Sequence, residues 1–269
     1  MTDRLGMEFI STLGMNPVDA VRLTAQLGVR RMGIAPAPIT ANPHGFASWD
    51  LRGDPALVRA VKAAARDEGV SFALGEGFLV MPGLQIADMA GTLDIMAEFG
   101  APVVNAVVVE QDRARAADEF GLFARLAGER GLDATIEFMP LMWPATLAEA
   151  MALLAEIGAP NGKLLLDAMH VYRSGAGTAD VRALDPAMIG YVQICDVPLP
   201  ARAADYGEEA RHDRLCPGEG DLPLAEFLGA VPAGVTVGLE VPMVAKALAG
   251  IGLRDALAPC VAAARRLLG

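Results

Sequence analysis

The stretch KLLLDAMH, Lys163–His170, decides the fold because it has the pattern of a buried strand that ends in polar side chains. Its three consecutive leucines predict the core of a parallel strand that helices cover on both faces. Asp167 ends the apolar run, and His170 follows three residues later. A buried carboxylate is costly unless it is paired or bound to a cation. The stretch therefore predicts a strand of a parallel sheet that delivers an acidic group to a functional site.

The same pattern recurs in three further apolar runs, so that four successive strands each end near one oxygen-bearing side chain. The further runs are ATIEF (134–138), YVQICD (191–196) and VGLEVP (237–242). The four side chains are Glu137, Asp167, Gln193 and Glu240. Because the carboxyl ends of parallel strands meet on one face of a barrel, we expect these side chains to converge.

Strand-like and helix-like segments alternate along the whole chain, and no linker or change of composition separates two halves. Eight such units in 269 residues favour a closed (β/α)₈ barrel over an open sheet. We therefore predict an α/β fold with a single TIM barrel domain over residues 1–269. The first strand is expected at Met7–Ser11 and the third at Val70–Leu74, while Asn16-Pro17 and Asp54-Pro55 predict helix starts. No glycine-rich dinucleotide turn follows the first strand, which disfavours a Rossmann site.

Composition excludes several classes of function. The net charge of −11 and the pI near 4.7 argue against a nucleic-acid surface, because phosphate binding requires clustered Lys and Arg. No uninterrupted run of 18 or more apolar residues predicts a membrane span, and the first residues lack the pattern of a signal peptide. The three cysteines, Cys195, Cys216 and Cys260, form no CxxC pair, which predicts a reducing cytoplasm and excludes a Cys-rich zinc site.

The four strand-end side chains predict a metal centre. A single strand-end Glu is more often a salt-bridged or solvated rim residue, but three carboxylates brought together without a cation would repel one another. The hard oxygen atoms of the set suit Mg²⁺, Mn²⁺ or Co²⁺, and Zn²⁺ is less expected because the set contains neither His nor Cys. We predict one divalent ion with the ligands Glu137, Asp167, Gln193 and Glu240.

Three residues outside the ligand set are candidates for catalysis or substrate binding. His170 is expected to face the substrate as an acid, base or hydroxyl donor, or else to bond a backbone carbonyl as an ordinary loop histidine. Arg214, in the segment RLCPGEG (214–220), is a candidate clamp for a substrate carboxylate or oxyanion, or else a surface cation. Trp49, in the first long loop, is expected to offer an apolar wall to a sugar face. Further strand-end acids, expected behind the ligands or at the rim, are Glu8, Glu76 and Glu110.

The order of these motifs resembles the xylose isomerase-like TIM barrel superfamily. This group includes sugar phosphate isomerases/epimerases, ketose 3-epimerases, inosose dehydratases, 3-dehydroshikimate dehydratases and endonuclease IV. The motifs are IEF (136–138), LDxxH (166–170), VQxxD (192–196), RxxPGEG (214–220) and LEVP (239–242). The resemblance spans the entire barrel and implies that fold, but it is poorly specific for any one substrate.

The resemblance also implies roles for individual residues. Ketose 3-epimerases of this group hold their metal with Glu, Asp, His and Glu, and the two glutamates exchange protons with the substrate carbon from opposite faces. These roles would fall to Glu137 and Glu240, with Asp167 as a third ligand. Gln193 departs from the epimerases and looks like the 3-dehydroshikimate dehydratases, in which a histidine at the position of His170 helps to remove a proton. Endonuclease IV is excluded because its three-metal site needs several more histidines than the three in this chain.

The sequence therefore predicts a metal-dependent isomerase or epimerase that acts on a small polyol or sugar-like carbonyl compound. Proton abstraction next to the carbonyl would give an enediolate that the metal stabilises, with Glu137, Glu240 and His170 as catalytic residues. The alternative is a dehydratase (a lyase) of the 3-dehydroshikimate or inosose type, in which Arg214 grips a substrate carboxylate. The intact ligand set disfavours a non-catalytic sugar-binding barrel. The Ala-rich outer helices would suit a homodimer.

Overall fold

A closed barrel of eight parallel strands forms the centre of the molecule, and the strands pair in the order in which they occur along the chain. The computed structural model describes residues 3–199 and 205–269. The strands are β1 (Leu5–Met7), β2 (Arg31–Ile34), β3 (Ser71–Val80), β4 (Val103–Val108), β5 (Asp133–Glu137), β6 (Gly162–Asp167), β7 (Ile189–Ile194) and β8 (Val237–Leu239). The predicted single (β/α)₈ barrel is confirmed.

Helices connect the strands and cover the outside of the barrel. They are α1 (Pro17–Gln26), α2 (Pro55–Glu68), α3 (Ala90–Phe99), α4 (Arg113–Gly128), α5 (Leu147–Ile157), α6 (Ala168–Arg173), α7 (Thr178–Arg182), α8 (Tyr206–His212), α9 (Leu224–Leu228), α10 (Val244–Leu248) and α11 (Leu253–Leu268). Short 3₁₀ turns lie at Phe9–Thr12, Leu51–Gly53, Ile86–Met89 and Pro186–Met188. None of the helices in the described ranges combines the length and the hydropathy that a membrane span requires.

The starts of α1 and α2 lie where the sequence predicts them. Asn16 caps α1 because its side-chain oxygen accepts the Val18 amide hydrogen at 3.0 Å, and Pro17 follows at the first helical position. Asp54 caps α2 in the same way through the Leu57 amide at 2.9 Å. These local signals set the residue at which each helix begins.

Two strand predictions were wrong. The first strand ends at Met7 instead of Ser11, because the chain turns into the 3₁₀ helix Phe9–Thr12 directly after Glu8. The third strand continues past Leu74 to Val80, and its pairing with β4 shifts register between Gly75 and Phe78. The shift is a bulge that lets a strand containing glycines and a glutamate continue along the barrel wall.

The barrel wall has two chemically different faces. Successive residues of a strand point to opposite sides, so Leu165 of β6 joins Tyr191 of β7 in a small cluster of five buried side chains. Leu164 and Leu166 instead belong to the large core that includes the helices. The sequence predicted helices on both faces of β6, but one of the two faces is the barrel interior. Asp167 continues the alternation of Leu165, which is why it belongs to the inner face.

A disulfide bond joins Cys216 to Cys260 across 44 residues of sequence. Both side chains are buried, and Cys195 is the free cysteine. The bond ties the segment that carries Arg214 to α11. The sequence spacing gave no indication of this pairing.

Candidate metal centre and active site

The strand-end residues lie together at the carboxyl end of the barrel. Glu137 and Asp167 are the last residues of β5 and β6, Gln193 is the penultimate residue of β7, and Glu240 directly follows β8. All four side chains are buried, with exposed fractions between 1% and 8%. The closure of the barrel, which pairs β8 with β1, therefore brings distant parts of the chain to one mouth.

Glu137, Asp167 and His170 form a buried cluster of side chains that could hold a metal ion. One ligand atom from each lies within 4.8 Å of the others. Glu137 Oε1 lies 3.3 Å from His170 Nε2, and its other oxygen accepts a hydrogen bond from Asn105 Nδ2 at 2.8 Å. This cluster contains His170, whereas the sequence predicted Gln193 and Glu240 as the remaining ligands.

His170 is held on both sides of its ring. It lies in the first turn of α6, which begins directly after β6 because Asp167 caps the helix by accepting the His170 amide hydrogen at 3.0 Å. Its Nδ1 is hydrogen-bonded to the hydroxyl of Tyr206 from α8. A carboxylate can only accept, so a hydrogen on Nε2 directed at Glu137 leaves Nδ1 to accept from Tyr206.

Arg214 lies inside the cluster of acids. Its Nη1 donates to Asp167 Oδ2 at 2.5 Å and lies 3.0 Å from Glu240 Oε2, while its Nε donates to the Ala210 carbonyl at 2.6 Å. Only 3% of the residue is exposed, so the alternative of a surface cation is wrong. Whether Arg214 also grips a substrate stays a prediction, and the Nη2 group is the part of the guanidinium that these contacts leave for it.

The charges of this cluster shift the pKa values of the two acids in opposite directions. Burial acts to raise the pKa of Asp167, but the Arg214 guanidinium and His170 hold it at about 2. Burial raises the pKa of Glu240 well above its ordinary value in spite of Arg214, and Asp167 and Glu137 raise it further. Of these two carboxyls, that of Glu240 therefore holds a proton more readily than that of Asp167.

Gln193 faces a different partner. Its Nε2 donates to Glu8 Oε2 at 3.2 Å, and Glu8 also accepts a hydrogen bond from the Tyr191 hydroxyl at 2.7 Å. Burial raises the pKa of Glu8 to about 7, and it raises the pKa of Glu76 well above its ordinary value, with the Glu8 charge adding to the effect. Two glutamates therefore lie buried behind Gln193 on the inner face of the barrel.

Glycines make the room for these two acids. A Cβ at Gly238 would lie 1.7 Å from Glu8 Oε1, and a Cβ at Gly33 would lie 2.2 Å from Glu76 Oε1. Any side chain at either position would displace a buried carboxyl group. The interior of the barrel is therefore built around Glu8 and Glu76.

Trp49 does not lie with the acids in the described contacts. It is 7% exposed, its ring packs edge-on against Phe9 with 5.4 Å between the centroids, and its Nε1 donates to the Gly14 carbonyl at 3.2 Å. These contacts are those of a packing residue beneath the first loop. Its part in substrate binding stays a prediction.

The side chains at the barrel mouth fit a divalent cation. Two buried oxygens, Gln193 Oε1 and Glu240 Oε2, accept no hydrogen bond from any group in the described residues, although Glu240 Oε2 faces the Arg214 charge. Such atoms are costly to bury without a partner. When ionised, the carboxylates of Glu137, Asp167 and Glu240 outweigh Arg214 by two negative charges, which a divalent ion would neutralise.

Sequence reasoning missed the residues that support the site. Tyr206 lies in a long polar segment whose fold no pattern predicted, and Tyr191 looks like an ordinary strand residue. Asn105 is different, because it is a polar break inside VVNAVV, Val103–Val108. That break could have marked it, since a buried amide requires a partner.

A family model for the xylose isomerase-like TIM barrel matches residues 21–254. The chain belongs to this family. The resemblance inferred from the motifs is thereby confirmed. Two relatives are 3-dehydroshikimate dehydratases: that of Pseudomonas putida is 26% identical over 190 residues, and that of Pseudomonas aeruginosa is 32% identical over 148 residues. These matches cover 65% and 52% of the chain but only 29% and 23% of the relatives.

Solved structures of other proteins share the barrel. A xylose isomerase-like TIM barrel/4-hydroxyphenylpyruvate dioxygenase fusion protein has a TM-score of 0.79 and 21% identity, over 98% of this chain and 42% of that one. The IOLI protein with a bound zinc atom has a TM-score of 0.76 and 16% identity, over 98% and 96% of the two chains. A D-psicose 3-epimerase, solved in the presence of D-fructose, has a TM-score of 0.75 and 16% identity, over 99% of both chains. At these identities the likeness establishes the fold alone.

Proposed function

We propose that this protein is a divalent-metal-dependent lyase that removes water from a small hydroxylated carbonyl compound of the 3-dehydroshikimate type. The observation that carries the proposal is the buried contact of His170 with Glu137, which places an imidazole among the acids at the barrel mouth. The residue type at position 193 supports the proposal, because glutamine there resembles the ligand set of the dehydratases of the family, whereas the epimerases have histidine. The two relatives that are 3-dehydroshikimate dehydratases support it as well.

The ion would be held by oxygens of Glu137, Asp167, Gln193 and Glu240, with Mg²⁺, Mn²⁺ or Co²⁺ as the expected metals. Zn²⁺ stays less expected from this donor set, although one structural neighbour carries zinc. When bound, the cation would polarise the substrate carbonyl and stabilise the negative charge that develops on its oxygen.

His170 is the proton carrier in this proposal. The C–H bond next to the carbonyl breaks, its electron pair forms the new C=C bond, and the C–O bond of the β-hydroxyl breaks. For this step Nε2 would carry the free lone pair of the ring, while Nδ1–H donates to the Tyr206 hydroxyl and Glu137 serves as a metal ligand instead of as the partner of Nε2. His170 Nε2 takes the proton from carbon and returns it to the departing hydroxyl, which leaves as water, and Tyr206 keeps the ring oriented during the transfer.

Arg214 would bind a negatively charged group of the substrate while it remains against Asp167 and Glu240. Its Nε and Nη1 are fixed by protein oxygens, so the guanidinium is held in place before substrate arrives. A guanidinium held in this way suits a planar carboxylate better than a lysine would.

The test is a spectrophotometric assay of the purified protein, stripped with a chelator and reloaded with Mn²⁺. Addition of 3-dehydroshikimate should produce the absorbance of protocatechuate, and the stripped protein should be inactive until the metal is restored. His170→Ala should lose the activity but still bind Mn²⁺, because the oxygen ligands remain. Wild-type protein that binds no divalent cation would overturn the proposal.

The second candidate is the isomerase or epimerase that the sequence predicted first. It is favoured by the pair of Glu137 and Glu240 at the ends of β5 and β8, and by the D-psicose 3-epimerase barrel that covers 99% of the chain. The same preparation incubated with D-fructose in D₂O distinguishes it. Deuterium at the carbon next to the carbonyl would assign the epimerase reaction, and protocatechuate without deuterium exchange in the ketose would assign the lyase.

A further inference from the structure

Glu8 is a buried acid with two hydrogen-bond donors from the same strand. It follows β1, is fully buried, and accepts from the Tyr191 hydroxyl at 2.7 Å and from Gln193 Nε2 at 3.2 Å. Tyr191 and Gln193 are two residues apart on β7, so both point into the barrel. One carboxylate therefore holds two side chains of β7 in place.

The contact with Glu8 decides which way the Gln193 amide faces. Nε2 donates to a Glu8 oxygen, so Oε1 is turned away from Glu8, and it has no hydrogen-bond partner in the described residues. When Glu8 is ionised, the reversed amide would place two acceptor oxygens, Gln193 Oε1 and Glu8 Oε2, against each other. Without Glu8, the nitrogen and the oxygen of the amide would be free to exchange places.

The orientation matters because only the oxygen of the amide can bind a hard cation. An amide nitrogen carries two hydrogens and offers no lone pair to a metal. The register of the sheet pairs Gln193 with Asp167 on β6, which places the amide beside a second proposed ligand. A group that holds the amide in one orientation therefore also determines whether Gln193 can serve as a metal ligand.

We propose that Glu8 is a positioning residue that presents Gln193 Oε1 to the divalent ion. The inference rests on the proposed function, because it requires the metal centre, but it assigns to Glu8 a role that the ligand set does not include. Groups that orient a metal ligand typically change metal affinity 10- to 100-fold when they are removed.

The experiment measures Mn²⁺ affinity by calorimetry and the Co²⁺ visible absorption spectrum in Glu8→Met and in the control Glu110→Met. Glu110 is another buried strand-end acid, and its described contacts are with the Asp112 amide at 3.0 Å and with Arg115 of α4. E8M should bind Mn²⁺ about 10- to 100-fold more weakly and alter the Co²⁺ spectrum. E110M should stay within about threefold of the wild type, because it leaves the contacts of Glu8 and Gln193 in place.

A double-mutant cycle separates orientation of the ligand from general disturbance of the barrel. Gln193→Leu removes the ligand itself, so E8M should cost no further affinity in the Q193L background. Additive losses would overturn the inference, as would wild-type affinity in E8M. Wild-type protein that binds no Mn²⁺ would instead overturn the metal centre and the proposed function with it.

A second variant covers the case in which E8M does not fold. Tyr191→Phe keeps the ring but removes the hydroxyl that holds the other oxygen of Glu8. A several-fold loss of Mn²⁺ affinity in Y191F would support the inference, and unchanged affinity would overturn it.

Discussion

The position of Arg214 among the acids is the feature that most affects the chemistry of single residues. Its guanidinium contacts Asp167 and Glu240, which the sequence had grouped with Glu137 and Gln193 as metal ligands. Removal of one partner from a buried ion pair of this kind typically lowers the free energy of unfolding of the protein by about 3–5 kcal/mol, because the other charge is left buried without a partner. Arg214 therefore supports the folded mouth of the barrel as well as the proposed chemistry, and its substitution would disturb both.

Glu240→Gln tests the role of the acid at the end of β8. The substitution keeps the shape of the side chain but removes a negatively charged ligand of the proposed metal, and in the epimerase alternative it removes a proton carrier, so we expect turnover to fall by at least about 100-fold. Glu226→Gln, on the exposed surface of α9, is the control and should keep wild-type turnover. Steady-state kinetics of the metal-loaded proteins measure both. Full turnover by E240Q would remove Glu240 from the catalytic residues.

The acids themselves were predictable, but their partners were not. Glu137, Asp167, Gln193 and Glu240 interrupt apolar runs, and a single sequence shows such interruptions directly. Arg214 contacts Asp167 across 47 positions of sequence, and Gln193 contacts Glu8 across 185 positions. No local sequence pattern predicts contacts at such separations, because the closure of the barrel brings these residues together.

At the scale of elements, β6 and α6 act as one unit. Asp167 ends the strand and caps the helix that follows, so His170 lies in the first turn of α6 and remains beside the site. The sequence placed His170 just beyond the strand and predicted no helix there, since six residues carry too weak a helical period to be recognised. The helix α8 approaches from the other side, where Arg173 of α6 pairs with Glu209 at 3.1 Å and Tyr206 reaches His170.

Tyr206→Phe tests whether α8 contributes to catalysis through His170. Loss of one hydrogen bond to the imidazole should lower turnover by about 3- to 10-fold, corresponding to roughly 1 kcal/mol, with little change in the melting temperature. Tyr172→Phe is the matched control, because Tyr172 lies on α6 but its hydroxyl bonds Thr178 at 2.6 Å. Equal turnover in Y206F, Y172F and the wild type would show that α8 only covers the mouth.

At the scale of the whole molecule, the alternation of strands and helices was enough to predict the barrel, because a parallel sheet of eight such units closes on itself. Strand lengths were less predictable where the physical signal was ambiguous. Glycines at 75 and 77 weakened the apparent strand, yet β3 runs through both by means of its bulge. The Cys216–Cys260 bond was not predictable, because it depends on where α11 packs.

Reduction of that bond should lower the stability of the whole barrel. In the chain-entropy account, a cross-link that closes a loop of this length contributes about 4 kcal/mol. We expect a lower urea midpoint in the presence of a reductant, and no effect of the reductant on the double variant Cys216→Ser/Cys260→Ser. Thiol titration of the oxidised, denatured protein should detect Cys195 alone. Three reactive thiols in that sample would contradict the bond.

The fit between Glu8 and Gly238 has a consequence for how this barrel can change during evolution. A Cβ at position 238 would overlap Glu8 Oε1, so the two positions cannot mutate independently. A lineage that loses the acid at position 8 becomes free to enlarge position 238, and that enlargement then blocks the return of the acid. We expect the pair to covary in an alignment of homologous barrels, with glycine at position 238 wherever glutamate occupies position 8.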